Sequence, residues 1–166
     1  MILTFFFRTL FLFLLISFQN GFSAEIEVEI LRVVDGDTID VRYRNQLLTV
    51  RLQGIDSPEK DQPFGGEATL HLSKLVQGKM VSILYENHDR YGRLLGKILV
   101  DGHDINLLMI KDGFAWWYRY YRKQQSLEDQ VLYEKAETYS KSLKLGLWKS
   151  ENPLNPYEWR KLEKAF

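Results

Sequence analysis

The chain has 166 residues, 22 Lys and Arg against 22 Asp and Glu, and no cysteine. That length builds one domain with a sizeable core. Zero formal charge argues against a cationic surface that coats nucleic acid, so any phosphate binding must be local. Without cysteine there are neither disulfides nor thiolate metal sites.

Residues Met1 to Phe18 are almost wholly apolar apart from Arg8, with a compact apolar centre from Leu10 to Ile16. Gly21 and Ser23 suit the −3 and −1 positions of a signal-peptidase site, with cleavage before Ala24. Residues 1–23 are therefore expected to be a secretory signal peptide, and the alternative is an uncleaved N-terminal anchor. Residues 24–166 are expected to form a single domain, secreted or periplasmic, with no stable membrane association after cleavage.

From Glu25 to Val34 the pattern alternates, Ile26, Val28 and Ile30 on one face and Glu25, Glu27 and Glu29 on the other. This is a half-buried first strand. Thr38 to Tyr43 and Leu48 to Leu52 read as two further strands joined by a polar turn around Asn45. After Pro58 comes a polar loop through Gly66, then helical spacing of Ala68, Leu72, Leu75 and Val76 that stops at Gly78. His71, in this helix, reads as a surface or boundary residue, since no second His or Cys stands at ligand spacing. Met80 to Tyr85 and Leu94 to Val100 are the fourth and fifth strands.

A short helix is expected from Asp104 to Gly113, and a longer one capped by Ser126, with Leu132, Ala136, Tyr139 and Leu143 as its core stripe. Trp116 and one or two tyrosines are the expected core rings of the aromatic run Phe114 to Lys123. The basic tail Arg160 to Lys164 reads as a solvated helix face. Five short strands interleaved with about three flanking helices suit an α+β fold, a small five-stranded OB-fold β-barrel.

The chemistry concentrates between Val34 and Glu59. If the second and third strands pair as a hairpin, Asp37 opens one and Asp56 follows the other, so both carboxylates reach one sheet edge. Taken alone, DGDT (35–38) and DSPE (56–59) are ordinary turns, and DGDT lacks the spacing of an EF-hand loop. Together they crowd carboxylates that repel unless a cation neutralises them. Arg51, between Val50 and Leu52, either lies on the outer phase of its strand or needs a buried partner. Arg93 follows a Tyr-Gly turn and is either a hairpin charge or a second phosphate ligand. Two arginines, a divalent cation and a spare carboxylate form a recurrent device for phosphoryl chemistry. In Trp116 to Arg122 some rings belong to the core and others can stack on bases beside a phosphate-binding cation, as can Tyr91.

In order, VDGDT, VRLQGIDSPE, DRYGR, GFAWWYRYY and LGLW run through the chain from about Glu27 to Trp148. This series resembles the staphylococcal nuclease-like (thermonuclease) family, and the ending NPYEWRK is similar to that of its secreted bacterial members. The resemblance implies an OB-fold barrel and a Ca²⁺-dependent phosphodiesterase that cleaves DNA and RNA, leaving 3′-phosphates. By the same resemblance Asp37, Asp56 and the Ser57 carbonyl hold Ca²⁺, and Glu59 orients or deprotonates water. Arg51 and Arg93 grip phosphate, while Asp35 and Thr38 support the metal loop. Arg90, Tyr91 and Tyr121 fall at positions that hold the nucleotide's terminal phosphate and base. Arg119 stands where a second nucleotide-facing tyrosine is expected, with Tyr118 or Tyr120 as substitutes.

Two further departures are a shorter loop after Glu59 and the balanced charge, which implies a shallow salt dependence of DNA affinity. A monomer preferring single-stranded substrate is expected, because a base must leave the duplex to stack. The rival reading is the same barrel as a non-catalytic module that binds nucleic acid or protein.

Overall fold

A computed structural model of the chain describes residues 24–164. The expected signal peptide, and with it the expectation about export, lies outside the described residues. Among these, no helix is long and apolar enough to cross a membrane.

Strand β1 (Ala24–Asp35) keeps the alternation, burying Ile26 and Val28 and exposing the three glutamates. Strands β2 (Thr38–Tyr43) and β3 (Gln46–Leu52) form a tight antiparallel hairpin in which Tyr43 faces Gln46. Its two turn residues, Arg44 and Asn45, both take positive φ, 47° and 66°. That backbone twist matches the right-handed twist of the flanking strands. A two-residue strand β4 (Ile55–Asp56) leads into the loop before helix α1 (Gly65–Val76). Strands β5 (Met80–His88) and β6 (Leu94–Val100) follow. Strand β7 (His103–Asp104) runs into helix α2 (Ile105–Lys111), and β8 (Trp116–Trp117) into a 3₁₀ helix over Arg119–Gln124. Helix α3 (Leu127–Ser142), a 3₁₀ helix over Gly146–Lys149 and helix α4 (Pro156–Glu163) complete the chain.

The sheet order is β3-β2-β1-β5-β6, and β6 pairs in parallel with β3. That last pairing closes a five-stranded barrel and removes its edges. The inward residues of all five strands, among them Val28, Ile39, Val50, Leu52, Ile83 and Ile98, are essentially inaccessible. Helix α1 covers the barrel with Ala68, Leu72 and Val76, as its spacing predicts. Each such aliphatic side chain contributes about 1.5–3 kcal/mol on burial.

Helix α2 is held by a buried amide as well as by apolar contact. Asn106 accepts from the Ile98 N–H at 3.1 Å and donates to the carbonyls of Gln53 and Gly96 at 2.9 and 3.0 Å. These bonds satisfy the amide and pin the turn that follows β3.

Helix α3 differs from expectation. Its Ser126 cap is present, accepting from the Asp129 N–H at 3.0 Å. The buried face, however, is Asp129, Tyr133, Ala136, Glu137 and Ser140, while Leu132, Tyr139 and Leu143 are exposed. The polar residues can go inside because they find cations. Lys97 meets Asp129 at 2.6 Å, and Arg119 and Lys141 meet Glu137 at 2.8 and 2.9 Å. Likewise Trp117 is the buried ring of the aromatic run, and Trp116 is half-buried against Trp148.

Candidate active site

The register converts a sequence pattern into a cluster. Thr38 at the start of β2 stands opposite Arg51 near the end of β3. Asp37 therefore lies at the sheet end where Arg51 emerges. Strand β4 pairs with β8, Asp56 opposite Trp116, which fixes Asp56 over the same end. Gly36 permits the approach: a side-chain carbon there would stand 2.7 Å from the Ser57 Cβ and 2.8 Å from the Ala68 Cβ.

Arg51 lies on the face of β3 opposite the inward Val50 and Leu52, yet it is largely covered there and is the centre of the cluster. Its Nη1 donates to the Leu52 and Ile55 carbonyls at 2.8 and 2.9 Å. Its Nη2 lies 3.0 Å from Asp37 Oδ2 and 3.0 Å from Asp56 Oδ1. Both carboxylates are buried. Asp37 is further held by the Ser57 N–H at 2.8 Å and the Thr38 hydroxyl at 3.1 Å. The Asp35 carboxylate accepts the Asp37 N–H at 3.0 Å, so Asp35 and Thr38 brace this loop. The Ser57 hydroxyl reaches the Gly36 and Phe114 carbonyls at 2.9 and 3.0 Å.

One guanidinium does not neutralise this edge. Burial pushes the Asp37 carboxyl up to about 8, with the charges of Asp35 and Asp56 adding to it, against the opposing pull of Arg51 and the Ser57 N–H. A buried carboxyl driven that far is a site short of positive charge. The donors are hard oxygens, the chemistry that Ca²⁺ or Mg²⁺ selects. Among the described residues no three His, Cys, Asp or Glu side chains converge as a protein cage. A cation here would draw the rest of its shell from backbone carbonyls, water and substrate.

Glu59 stands on the loop after β4. Its N–H donates to Gln62 Oε1 at 3.0 Å, and its carboxylate is only partly exposed. It is not a free acid facing solvent, because Arg160 of helix α4 contacts Glu59 Oε1 through Nη1 and Asp56 Oδ2 through Nη2, the latter at 3.3 Å. Burial opposes the charge on Arg160, and the two carboxylates hold it protonated. The solvated tail expected from the sequence holds for Lys161 and Lys164, which are exposed, but not for Arg160. No local signal marks Arg160, since its partners lie about a hundred positions earlier.

Arg93 precedes β6, in which Leu95 is the parallel neighbour of Arg51. Arg93 immediately precedes Leu94, the parallel neighbour of Val50. Its Nε pairs with Asp89 at 2.7 Å, and Asp89 also accepts the N–H groups of Tyr91 and Arg93 at 2.9 and 3.0 Å. Arg90 donates to the Tyr91 hydroxyl at 2.7 Å, and the Tyr91 ring is exposed beneath both guanidiniums.

Tyr118, Tyr120 and Tyr121 form a ring cluster, with Tyr118 and Tyr121 edge-to-face at 5.4 Å. Burial and the Asp56 charge raise the Tyr118 phenol, which places it beside the acidic edge. Tyr120 and Tyr121 are exposed. Arg119 is turned toward structure: it pairs with Glu137 and lies 4.3 Å over the Trp117 ring. His71 is a boundary residue as expected, bonded to Asp112 at 2.8 Å and stacked on Phe114.

A closed five-stranded barrel with a buried acidic and arginine cluster at one edge defines an OB-fold protein with a charged site at the barrel's rim. Residues 49–150 match the family model described as staphylococcal nuclease homologue. An uncharacterized endonuclease of Escherichia coli O157:H7 is 39% identical over 138 residues, covering 82% of this chain and 86% of that one. A micrococcal nuclease of Shigella flexneri is 37% identical over 150 residues, covering 85% and 84%. A staphylococcal-like nuclease of Arabidopsis thaliana is 43% identical over 112 residues, covering 68% of this chain and 33% of the plant protein. The chain belongs to the staphylococcal nuclease homologue family.

Proposed function

We propose that the chain is an endonuclease, a Ca²⁺-dependent phosphodiesterase acting on DNA and RNA with little sugar specificity. The observation that carries this reading is the 3.0 Å constellation of Arg51 with Asp37 and Asp56, flanked by Glu59, in a chain whose relatives are named nucleases.

In this reading Asp37, Asp56 and the Ser57 carbonyl hold the cation. When bound, it supplies charge that stabilises the developing phosphorane oxygens. The Glu59 carboxylate accepts a proton from water, whose oxygen attacks phosphorus in line with the departing 5′-oxygen. The new P–O bond forms as the P–O5′ bond breaks, the departing 5′-oxygen takes a proton from solvent to become a hydroxyl, and the phosphate stays on the 3′-oxygen. Arg51, fixed by two carbonyls through Nη1, presents Nη2 to the edge where negative charge grows. Arg93 grips the phosphate from the turn before β6, with Asp89 setting its direction. Arg90, Tyr91 and Tyr121 offer a cation and exposed rings to an unstacked nucleotide, which favours single-stranded or frayed substrate. The protein acts as a monomer, exported by way of residues 1–23.

Purified residues 24–166 are to be incubated with heat-denatured DNA in Ca²⁺ or EGTA, beside Glu59→Ala. Cleavage that requires Ca²⁺ and collapses in the variant is expected. DNA binding without cleavage in any divalent metal would replace the enzyme with a binding module.

A further inference from the structure

The loop that carries Glu59 is short of local anchors. Between β4 and α1 its own backbone supplies Gln62 N–H to the Glu59 carbonyl at 3.0 Å and Gly65 N–H to the Gln62 carbonyl at 2.9 Å. A glutamate on such a loop loses catalytic geometry easily, because a displacement of about 1 Å can cost on the order of 100-fold in rate. Two contacts from the far end of the chain fasten it.

The first contact goes through a buried amide. Gln62 is 6% exposed. Its Oε1 accepts the Glu59 N–H, and its Nε2 donates to the Leu154 carbonyl at 2.5 Å. One side chain therefore ties the Glu59 backbone to the segment that enters α4. The next two residues fix the start of that helix. Asn155 caps it, accepting from the Glu158 N–H at 3.0 Å, and Pro156 is buried at the first helical position.

The second contact is Arg160, one turn further on. Its two terminal nitrogens divide between Glu59 and Asp56. A planar fork spans two carboxylates in one fixed arrangement, which an ammonium cannot do. The side chain of Glu59 is thus held by a residue about a hundred positions away, and its backbone is tied through the neighbouring Gln62 to Leu154.

We propose that the segment from Leu154 to Arg160 is a working part of the active site, in which Arg160 and Gln62 set the position of Glu59. Both are positioning residues; they act through Glu59 and touch no reacting atom. The proposal rests on the reading of Glu59 as the group that handles water. The C-terminal helix is then a buttress for catalysis, and its removal costs turnover more than substrate affinity.

The test compares the full chain with Arg160→Ala, Arg160→Lys and Gln62→Met by two readouts. The first is amide hydrogen exchange across residues 57–64, which needs no activity. Exchange in this segment is expected to speed by about tenfold or more in Arg160→Ala and Gln62→Met, with the barrel strands unchanged. The second is steady-state cleavage of heat-denatured DNA. In Arg160→Ala kcat is expected to fall about 10- to 100-fold with KM within about twofold, and Arg160→Lys to recover only part of it.

Unchanged exchange, unchanged kcat or a rise in kcat in Arg160→Ala would each overturn the proposal, the last by making α4 a clasp that holds the site shut. A loss confined to KM would overturn it too, by making Arg160 a phosphate contact. If the unaltered protein cleaves nothing in any divalent metal, the nuclease reading fails. The exchange measurement then still decides whether the C-terminal segment anchors Glu59.

Discussion

Replacing Asp37 by asparagine removes one of the two buried carboxylates beside Arg51, and the metal-free protein is expected to gain stability from the loss. The sign follows from linkage. Asp37 titrates at about 8 in the fold against an ordinary 3.8, because burial and neighbouring acids disfavour its ionised form. A group with a raised native pKa contributes its full stability below the unfolded value, loses it as pH climbs toward the native value, and is flat beyond. Each pH unit in that window costs about 1.4 kcal/mol. From pH 5 to pH 8 the wild-type protein therefore loses about 4 kcal/mol that the variant keeps, a large share of a typical 5–15 kcal/mol total.

Asparagine can keep the local bonds, its oxygen taking the Ser57 N–H and its amide turning to the Thr38 hydroxyl, two of the groups that now meet Asp37 beside Arg51. The assay is urea unfolding of both proteins in EGTA at half-unit steps from pH 5 to 9, repeated in excess Ca²⁺. The stability gap should widen with pH in EGTA, and Ca²⁺ at pH 8 should rescue the wild type alone. A gap that stays constant, or that favours the wild type as pH rises, would refute the account of Asp37 as a carboxyl short of positive charge.

Two further outcomes follow from the same geometry. Arg51→Lys should stay folded by circular dichroism yet lose about 100- to 1,000-fold in kcat. An ammonium cannot serve the four oxygens that Arg51 now holds and still face phosphate, so near-normal turnover would remove Arg51 from the mechanism. Gly65→Ala should lower stability by about 1–3 kcal/mol and reduce turnover together, since the added carbon collides with the Glu59 carbonyl. Thermal unfolding and DNA digestion on one preparation would check both, and a stable, fully active variant would show that this loop can give way freely.

Much of the barrel can be read directly from the chain. Alternation marks β1, the Arg44–Asn45 turn falls between two strand-like runs, and glycines at 78 and 113 stop helices with positive φ. Asp37 and Asp56 meet because a hairpin returns the chain to the end it left, which is local geometry. The face of α3 was not legible, because apolar spacing points to Leu132, Tyr139 and Leu143. The buried face carries Asp129 and Glu137, whose cations come from β6, the 3₁₀ helix after β8 and the next turn of α3. Trp116 and Trp117 are neighbours of one chemistry, and only the pairing of β8 with β4 decides which ring goes inside.

By itself, then, the sequence determined the strands, the acidic turns, the arginine between them and the family that this order of motifs resembles. These rest on short-range patterns: a period of two, a period of 3.6, and turn residues. Tertiary structure alone decided the closure of β3 on β6, the cover over Arg51 and the arrival of Leu154 and Arg160 at the loop that carries Glu59. Contacts spanning a hundred residues leave no local period to read. They exist only once the barrel has folded and brought the end of the chain back to the acidic edge of its first hairpin.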